Sequence, residues 1–344
     1  KAAQTLPLVE ADVAAVGHQV WFWRHWFDHA FEEGAFWDAI DHRPRIGPAT
    51  PPCHLMSGWY DFMLDQLLRD YRALVEAGRQ PYLTVSSSTH ITDGHDADNP
   101  VETLAWMLAH LMGDRSGLRD NPVRIQIGGT GEWHEYESFP PAPVTQQNWY
   151  LGAGATLGTG EPEPSPPDTY RYDPGDPTPN LGGAIFAFTG AGPVNQARLE
   201  ARPDVRCYTS PALGDDLLIV GNVRVTLHAR ASIQFVDFLV RLSDVDARGV
   251  SVNVCDGFTR MSTPPEAADG VWQMTFDMHA TAYRFRAGHR LRILVASGAY
   301  PRYARNLGTG EPLGTATDLI PADVEIFHDP LHASAVALPV VPGR

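Results

Sequence analysis

The chain has 344 residues, 43% hydrophobic and 19% charged, which is typical of a globular protein long enough for two domains that each bury a core. Its formal net charge of −15 argues against binding to nucleic acid or to an anionic membrane surface, because both require a basic patch. No apolar run is long enough to predict a membrane-spanning helix, and three widely separated cysteines predict neither a disulfide framework nor a cysteine metal site, so they leave the compartment open.

The first part of the chain is rich in aromatic residues. Between Ala11 and Ile40 these recur at helix-compatible spacing, with few residues that interrupt helices before Gly34. The pattern predicts one or two short helices. Their aromatic residues would either pack in a core or interface, or form a lid over an apolar substrate pocket. We favour the packing role.

Strands and helices alternate in the next part. The runs "PPCHLMSG" and "PYLTVSSS" and the run "VRIQIGG" from Val123 have the character of strands. One predicted helix ends at Gly78, and a second has Asn99 as its cap and Pro100 at its first position. This alternation predicts part of a parallel sheet covered by helices.

The composition changes again in the second half. Residues 152–192 are rich in Gly, Pro, Thr and Asp, which predicts a long surface connection without regular structure. Beyond Arg202 the apolar runs are short, alternating and bounded by turn residues. This pattern predicts an all-β sandwich, with a jelly roll as the favoured form.

An acid and an imidazole follow two neighbouring predicted strands. Asp61 comes directly after the first, and His90 follows the second. Functional groups collect at the carboxyl ends of parallel strands, so we expect the two side chains to share one crevice. The order acid, then histidine, is that of the triad of α/β-hydrolases. Taken singly, an Asp before a helix is more often an N-cap, and a His in a loop is more often a solvated side chain.

Several motifs carry a family resemblance. "SGWYD", the following helix and strand, and His90 resemble the cocaine esterase and X-prolyl dipeptidyl peptidase group of serine hydrolases. "PVRIQIGGTGEWHEYESFPP", "VDFLVRLSDVDARGVSVNVCDGFTR" and "YRFRAGHRLRILVASGAYPRYARNLGTGE" are similar to later strands of that group. The resemblance extends from about Pro51 to about Glu325.

The resemblance implies a fold of class α/β plus all-β. Residues 1–46 would be the remnant of a helical cap, and residues 47–145 the C-terminal part of an α/β-hydrolase sheet. Residues 146–344 would be a jelly-roll β-sandwich that includes the Gly- and Pro-rich connection.

The resemblance also implies the site. Asp61 and His90 would be the acid and the base of a Ser-His-Asp triad, and Trp59 and Phe62 would line the substrate pocket. The family usually has Gly-Phe after the acid, whereas this chain has Phe62-Met63, which alters the pocket wall.

The nucleophile of such a triad has no place in this sequence. A G-x-S-x-G elbow occurs nowhere in the chain. Ser57 lies in the turn of the acid itself, and Ser87 belongs to the strand of the histidine. We therefore expect this chain to be the C-terminal piece of a longer hydrolase, with the serine supplied by an upstream segment or a companion chain.

Other constellations carry less weight. "HITDGHDADNP", with His90, Asp93, His95, Asp96 and Asp98, does not follow the EF-hand order, so we interpret it as a solvated acidic loop and expect no metal. The two "GTGE" stretches lack a strand-to-helix context and are interpreted as turns. The sequence predicts no cofactor.

The leading hypothesis is a serine hydrolase that cleaves a small-molecule ester or amide through an acyl-enzyme. The first alternative is a non-catalytic protein that binds a ligand or partner through the jelly roll. The second is an acyltransferase or β-lactam acylase of the same fold. The identity of the substrate and assembly into a homo-oligomer remain open.

Overall fold

The computed structural model describes residues 2–30, 34–91 and 99–342. Its helices are α1 (Ala11–Val16), α2 (Trp21–Asp28), α3 (Ala35–Asp38), α4 (Leu64–Glu76), α5 (Asn99–Met107) and α6 (Ala197–Glu200). A π-helical turn, Leu108–Met112, continues α5. None of the helices in the described ranges is long and apolar enough to cross a membrane.

The strands of the first half are β1 (His54–Tyr60), β2 (Tyr82–Thr89), β3 (Val123–Gln126), β4 (Trp133–Tyr136), β5 (Thr145–Gly152), β6 (Thr156–Gly158) and β7 (Asp168–Tyr172). Those of the second half are β8 (Val205–Thr209), β9 (Leu217–Gly221), β10 (Arg224–Ala231), β11 (Val236–Val245), β12 (Ser251–Met261), β13 (Trp272–Asp277), β14 (Thr281–Phe285), β15 (Arg290–Ala296), β16 (Ala322–Phe327) and β17 (Ala335–Val340).

The small sheet has four strands in the order β1-β2-β3-β4. The first three are parallel, and β4 pairs antiparallel with β3. Helix α4 covers this sheet with Leu64, Leu68, Tyr71 and Leu74, whose spacing puts them on one helix face. The helix ends before Gly78, which takes a φ of +74°, a backbone conformation that favours glycine. The predicted alternation of strands and helices is confirmed here.

The large sheet contains thirteen strands, and its pairs are antiparallel except for a single parallel contact of β6 with β8. Its long strands β11 and β12 pair over almost their full length, and every residue of β11 is buried. The protein is therefore a mixed α/β structure with a large, mostly antiparallel sheet.

The two sheets share a core. Leu218 and Val220 of β9 and Ala280 and Ala282 beside and in β14 pack in the same buried cluster as the small sheet and α4. The backbone continues this contact, because Gly128 donates its N–H to the carbonyl of Ala282 at 2.8 Å. The small sheet is therefore held directly against the large one.

Three details differ from the expectation. The aromatic N-terminal region forms three short helices rather than one or two, because Gly17 and the segment around Gly34 interrupt it. Residues 152–192 are not free of regular structure: β6 and β7 lie there and pair with β5 and β16. Alternating tyrosines explain this, since Tyr170 and Tyr172 are buried in the large core. Helix α5 begins at Asn99, one residue before the predicted start.

Candidate active site

Asp61 lies in the turn between β1 and α4 and is only 6% exposed. Its Oδ1 accepts a hydrogen bond from the backbone N–H of Met63 at 2.9 Å, and its Oδ2 accepts one from the Ser57 hydroxyl at 3.1 Å. The backbone N–H of Asp61 itself bonds to the Gly58 carbonyl at 3.0 Å. These contacts fix the carboxylate before any partner is considered.

The partner is His90. Its Nδ1 lies 3.0 Å from Asp61 Oδ1, so the two side chains that the sequence predicted to share a crevice are in contact. The His90 side chain is 39% exposed, whereas that of Asp61 is 9% exposed. Because Asp61 engages Nδ1, the other ring nitrogen, Nε2, is the one left for a reacting group. A buried carboxylate with a more exposed imidazole is the arrangement of acid and base in a triad.

A register shift between β1 and β2 brings the pair together. Gly58 pairs with Ser86, but Tyr60 pairs with Thr89, so β2 carries one extra residue over this stretch. Asp61 and His90 each follow one member of the Tyr60–Thr89 pair, which places them side by side at the ends of their strands.

Gly58 is required by the same shift. A Cβ on this residue would lie 2.3 Å from the backbone oxygen of Ser88, well inside the contact distance of real Cβ atoms. The bulged backbone of β2 therefore occupies the space that any other side chain at position 58 would need.

The two residues proposed for the pocket have different surroundings. Phe62 is 40% exposed, and its ring centroid lies 4.9 Å from that of His90. Trp59 is 3% exposed, packs in the core of the small sheet and donates its indole N–H to the Gln126 carbonyl at 2.7 Å. Phe62 is therefore beside the imidazole, whereas Trp59 is a core residue here and its suggested place in a pocket gains no support.

Sequence reasoning missed Phe186. Its ring centroid lies 5.6 Å from those of both His90 and Phe62, and its side chain is 65% exposed. The signal was present in "GGAIFAF", where large aromatic residues stand in a segment otherwise rich in Gly and Pro. From composition alone, that segment is interpreted as a surface connection.

Phe62 and Phe186 also line a cavity of about 580 Å³. Its remaining wall comes mostly from the large sheet and its loops, and includes Asn180, His279 and Arg302. The cavity wall thus includes both the rings beside the imidazole and polar side chains of the large-sheet region.

Ser57 and Ser87, the two serines considered from the sequence, lack the features of a nucleophile. The hydroxyl of Ser57 is buried and donates to Asp61, and the hydroxyl of Ser87 is buried without a hydrogen-bond partner. A separate hydroxyl–imidazole–carboxylate chain exists in the large-sheet region, where Ser165 Oγ lies 2.9 Å from His328 Nδ1 and Asp168 Oδ2 lies 3.1 Å from His328 Nε2. His328 is only 1% exposed there, which is typical of a structural network.

Strand β2, which precedes His90, contacts a half-buried ionic cluster. Glu102 of α5 lies 2.7 Å from Arg119, 2.6 Å from Arg124 and 2.5 Å from the hydroxyl of Thr84 in β2. Burial alone would raise the pKa of Glu102, but hydrogen bonds from His54, Thr84 and Arg124 outweigh it and hold the pKa well below its ordinary value. The cluster therefore ties α5 to β2 and β3.

Metal ligands are not assembled in the described ranges. No group of three or more His, Cys, Asp or Glu side chains is arranged there to hold a metal ion. Of the acidic loop considered in the sequence, residues 92–98 lie outside the described residues.

Residues 117–336, more than half of the chain, match the family model described as the X-Pro dipeptidyl-peptidase C-terminal non-catalytic domain. The chain belongs to this family. Asp61 and His90 precede the part that the family model matches.

Members of the wider group match almost the whole chain. Cocaine esterase from Rhodococcus sp. (strain MB1 Bresler) is 30% identical over 99% of the chain, and a putative serine esterase from Mycobacterium bovis is 25% identical over 96%. The chain spans 65% and 51% of the lengths of these relatives. The predicted resemblance to cocaine esterase and to X-Pro dipeptidyl peptidases is confirmed.

Solved structures show the same fold. An α-amino acid ester hydrolase and an aminopeptidase from a thaumarchaeon each superpose on 96% of the chain with a TM-score of 0.83, at 21% and 19% identity. A CocE/NonD family hydrolase from Staphylococcus aureus covers 97% with a TM-score of 0.68. The chain covers 62% of each of these three proteins.

Proposed function

We propose that this chain is the C-terminal part of a serine hydrolase that cleaves ester or amide bonds, with Asp61 and His90 as the acid and base of its triad. The observation that carries the proposal is the 3.0 Å contact between His90 Nδ1 and Asp61 Oδ1 at the ends of adjacent parallel strands. Homology to cocaine esterase and to other serine esterases supports the choice of reaction.

The chemistry follows from the geometry of the pair. Asp61 accepts the Nδ1 hydrogen of His90 and so holds the tautomer in which Nε2 can act as a base. Nε2 takes the proton of the attacking serine and returns it to the leaving alcohol or amine. Water then attacks the acyl-enzyme by the same route, and the acid product leaves. Asp61 stabilises the imidazolium that forms in both steps.

The nucleophile is proposed to come from a segment that is not in this sequence. The G-x-S-x-G elbow is lacking here, and the relatives are longer than this chain. Its docking place would be the edge of β1, which pairs with β2 alone among the described strands. In this view residues 1–46 are a cap remnant, residues 47–145 are the last part of an α/β-hydrolase sheet, and residues 146–344 form a jelly roll.

Exposed apolar faces support such a partner. Val101, Leu104, Leu108 and Leu111 recur at three- and four-residue spacing along α5 and its π-helical extension, and each is 38–75% exposed. A face of this kind on a helix beside a sheet edge is what a companion segment of the sheet would cover.

A fluorophosphonate probe tests the proposal. The whole preparation, produced together with any sequence encoded upstream of Lys1, is labelled, and the labelled residue is mapped by mass spectrometry. We expect label on a serine outside this chain, with loss of labelling in Asp61→Asn and His90→Ala. Ser165→Ala is the matched control and should leave the labelling unchanged.

The outcomes separate the alternatives. Absence of label on every species contradicts the hydrolase and favours a binding protein that uses the large sheet. Label on Ser165 contradicts the assignment of Asp61 and His90. Label on the outside serine, combined with transfer of the acyl group to an added amine in preference to water, identifies the acyltransferase variant.

A further inference from the structure

The wall of the cavity beside His90 combines aromatic rings with polar side chains. Near the imidazole its wall is formed by the rings of Phe62 and Phe186. The same wall also contains the polar side chains of Arg302 and His279, which come from the large-sheet region. A group attached to the scissile carbonyl would therefore contact the rings beside His90 and could extend to the polar side chains of the same cavity.

The polar part of this wall belongs to a built network rather than to a loose surface. Arg302 Nη1 lies 2.6 Å from Asp256 Oδ1, and the other oxygen of Asp256 lies 2.8 Å from Arg241. Asp256 is 3% exposed and the Arg302 side chain 8% exposed. Burial would raise the pKa of Asp256, but the two guanidinium groups lower it below its ordinary value. The carboxylate is thus fully engaged in holding Arg302 in place.

His279 completes the network toward the active site. Arg302 Nη2 lies 2.9 Å from His279 Nε2, and a guanidinium can only donate, so Nε2 must accept. The imidazole hydrogen is then on Nδ1, which lies 2.6 Å from Asp65 Oδ2. Asp65 belongs to the first turn of α4, directly after the turn that holds Asp61. The same network therefore links the large sheet to the helix behind the catalytic acid.

These contacts determine what the cavity can recognise. The contacts to Asp256 and His279 use one N–H on each terminal nitrogen of Arg302, and a guanidinium carries five N–H donors and no acceptor. A ligand group that meets Arg302 must accept a hydrogen bond, as a carbonyl or carboxylate oxygen does. An ammonium group would meet the fixed positive charge of Arg302.

We infer that this cavity selects substrates whose acyl group carries a hydrogen-bond acceptor at the end remote from the scissile bond, and that Arg302 is the residue that recognises it. The inference rests on the proposed hydrolase function and adds a substrate class to it. It also gives the large sheet, which belongs to a family named for a non-catalytic domain, a direct part in specificity.

Paired p-nitrophenyl esters test the inference in the complete hydrolase. The methyl glutaryl ester carries a remote carbonyl, and the pentanoyl ester has none. The 5-(trimethylammonio)pentanoyl ester carries a quaternary ammonium that cannot cyclise onto the ester. Methyl succinyl and methyl adipyl esters vary the reach. We expect kcat/KM to be highest for one of the methyl diacid esters, at least about tenfold above the ammonium ester.

The Arg302→Lys variant isolates the guanidinium, because lysine keeps the charge beside Asp256 but lacks the planar set of donors. Its kcat/KM should fall about tenfold more for the preferred diacid ester than for the pentanoyl ester. Arg260→Lys is the matched control, since Arg260 also pairs with a buried carboxylate, that of Asp237, but does not line this cavity. It should leave the ratio between the two esters unchanged.

A binding measurement separates this inference from the hydrolase proposal. Saturation-transfer NMR compares dimethyl glutarate with methyl pentanoate on the His90→Ala protein, which requires no turnover. Preference for the diester that disappears in Arg302→Lys supports the cavity assignment even if no ester is hydrolysed. Hydrolysis of all esters at similar rates, without a binding preference, overturns the inference and leaves the hydrolase intact. If no ester is hydrolysed and no binding preference is found, both the inference and the hydrolase proposal are overturned.

Discussion

Replacing Gly58 by alanine should disable the proposed catalytic pair, Asp61 and His90, without changing either side chain. The new Cβ would lie 2.3 Å from the Ser88 backbone oxygen and 2.5 Å from its hydroxyl oxygen. An ordinary contact is longer than 3.4 Å, so β2 would have to retreat by about 1 Å, since a backbone atom cannot rotate away. We expect overpacking of this kind to cost about 1–3 kcal/mol of unfolding free energy.

The value of kcat/KM should fall more than the loss of unfolding free energy alone would explain. His90 follows the displaced segment directly, and its Nδ1 now lies 3.0 Å from Asp61 Oδ1. A misplacement of about 1 Å in a catalytic group can cost about 10²-fold in rate. The assay is kcat/KM for p-nitrophenyl pentanoate with the complete hydrolase, together with urea unfolding of each variant.

Two comparisons make this prediction refutable. Gly160→Ala is the matched control, because its Cβ would have no neighbour within 4 Å and should change neither quantity. Ser88→Ala added to Gly58→Ala should not restore activity, because the closest clash is with a backbone atom. A Gly58→Ala enzyme within about threefold of the wild type in kcat/KM, or a rescue by Ser88→Ala, would show that the register shift does not position His90.

Three further predictions concern the acid, the ionic cluster and the helix face. Asp61→Asn should lower kcat by about 10⁴-fold in the ester assay while circular dichroism remains unchanged; a loss below about tenfold would contradict its role as the acid of the triad. Glu102→Gln should lower the unfolding free energy at pH 7 by about 1–2 kcal/mol, because it leaves two half-buried guanidinium groups without their carboxylate partner. The pKa of Glu102 is depressed in the folded state, so its contribution to the unfolding free energy should be complete above the ordinary pKa of 4.5 and disappear as the pH falls below it. The urea midpoints of wild type and variant should therefore converge in acid. Parallel pH profiles would refute this. Leu104→Asp combined with Leu111→Asp should change the unfolding free energy of the isolated chain by less than about 0.5 kcal/mol, since both side chains are exposed. The double variant should nevertheless co-purify less well with the nucleophile-bearing segment. Unchanged co-purification would exclude this face as the contact.

The parts of this molecule that follow local rules could be predicted from sequence. The strands before Asp61 and His90 have short apolar runs bounded by turn residues, and α4 combines one apolar face with a terminal Gly78. Strand order then places two carboxyl ends side by side, which is why the contact of Asp61 with His90 could be expected.

The rest depends on contacts between distant parts of the chain. Phe186 reaches His90 from a segment ninety-six positions later, and no local pattern encodes that approach. Trp59 is an aromatic residue close to Asp61 in sequence, as a pocket residue would be. It packs in the core of the small sheet instead, where its indole N–H donates to the Gln126 carbonyl. The tyrosines of β7 were missed because prolines around them obscured a short alternating pattern.

The core shared by β9, β14 and the small sheet limits how this protein can be divided. A cut near residue 145 would separate Leu218 and Val220 from the strands that they cover, and both halves would present apolar surface to water. Chimaeras that exchange the C-terminal region between relatives should therefore retain activity only when both sides of this shared core, called here the seam, come from the same protein. Family members would then be expected to diversify by altering loops around the seam rather than by exchanging whole modules.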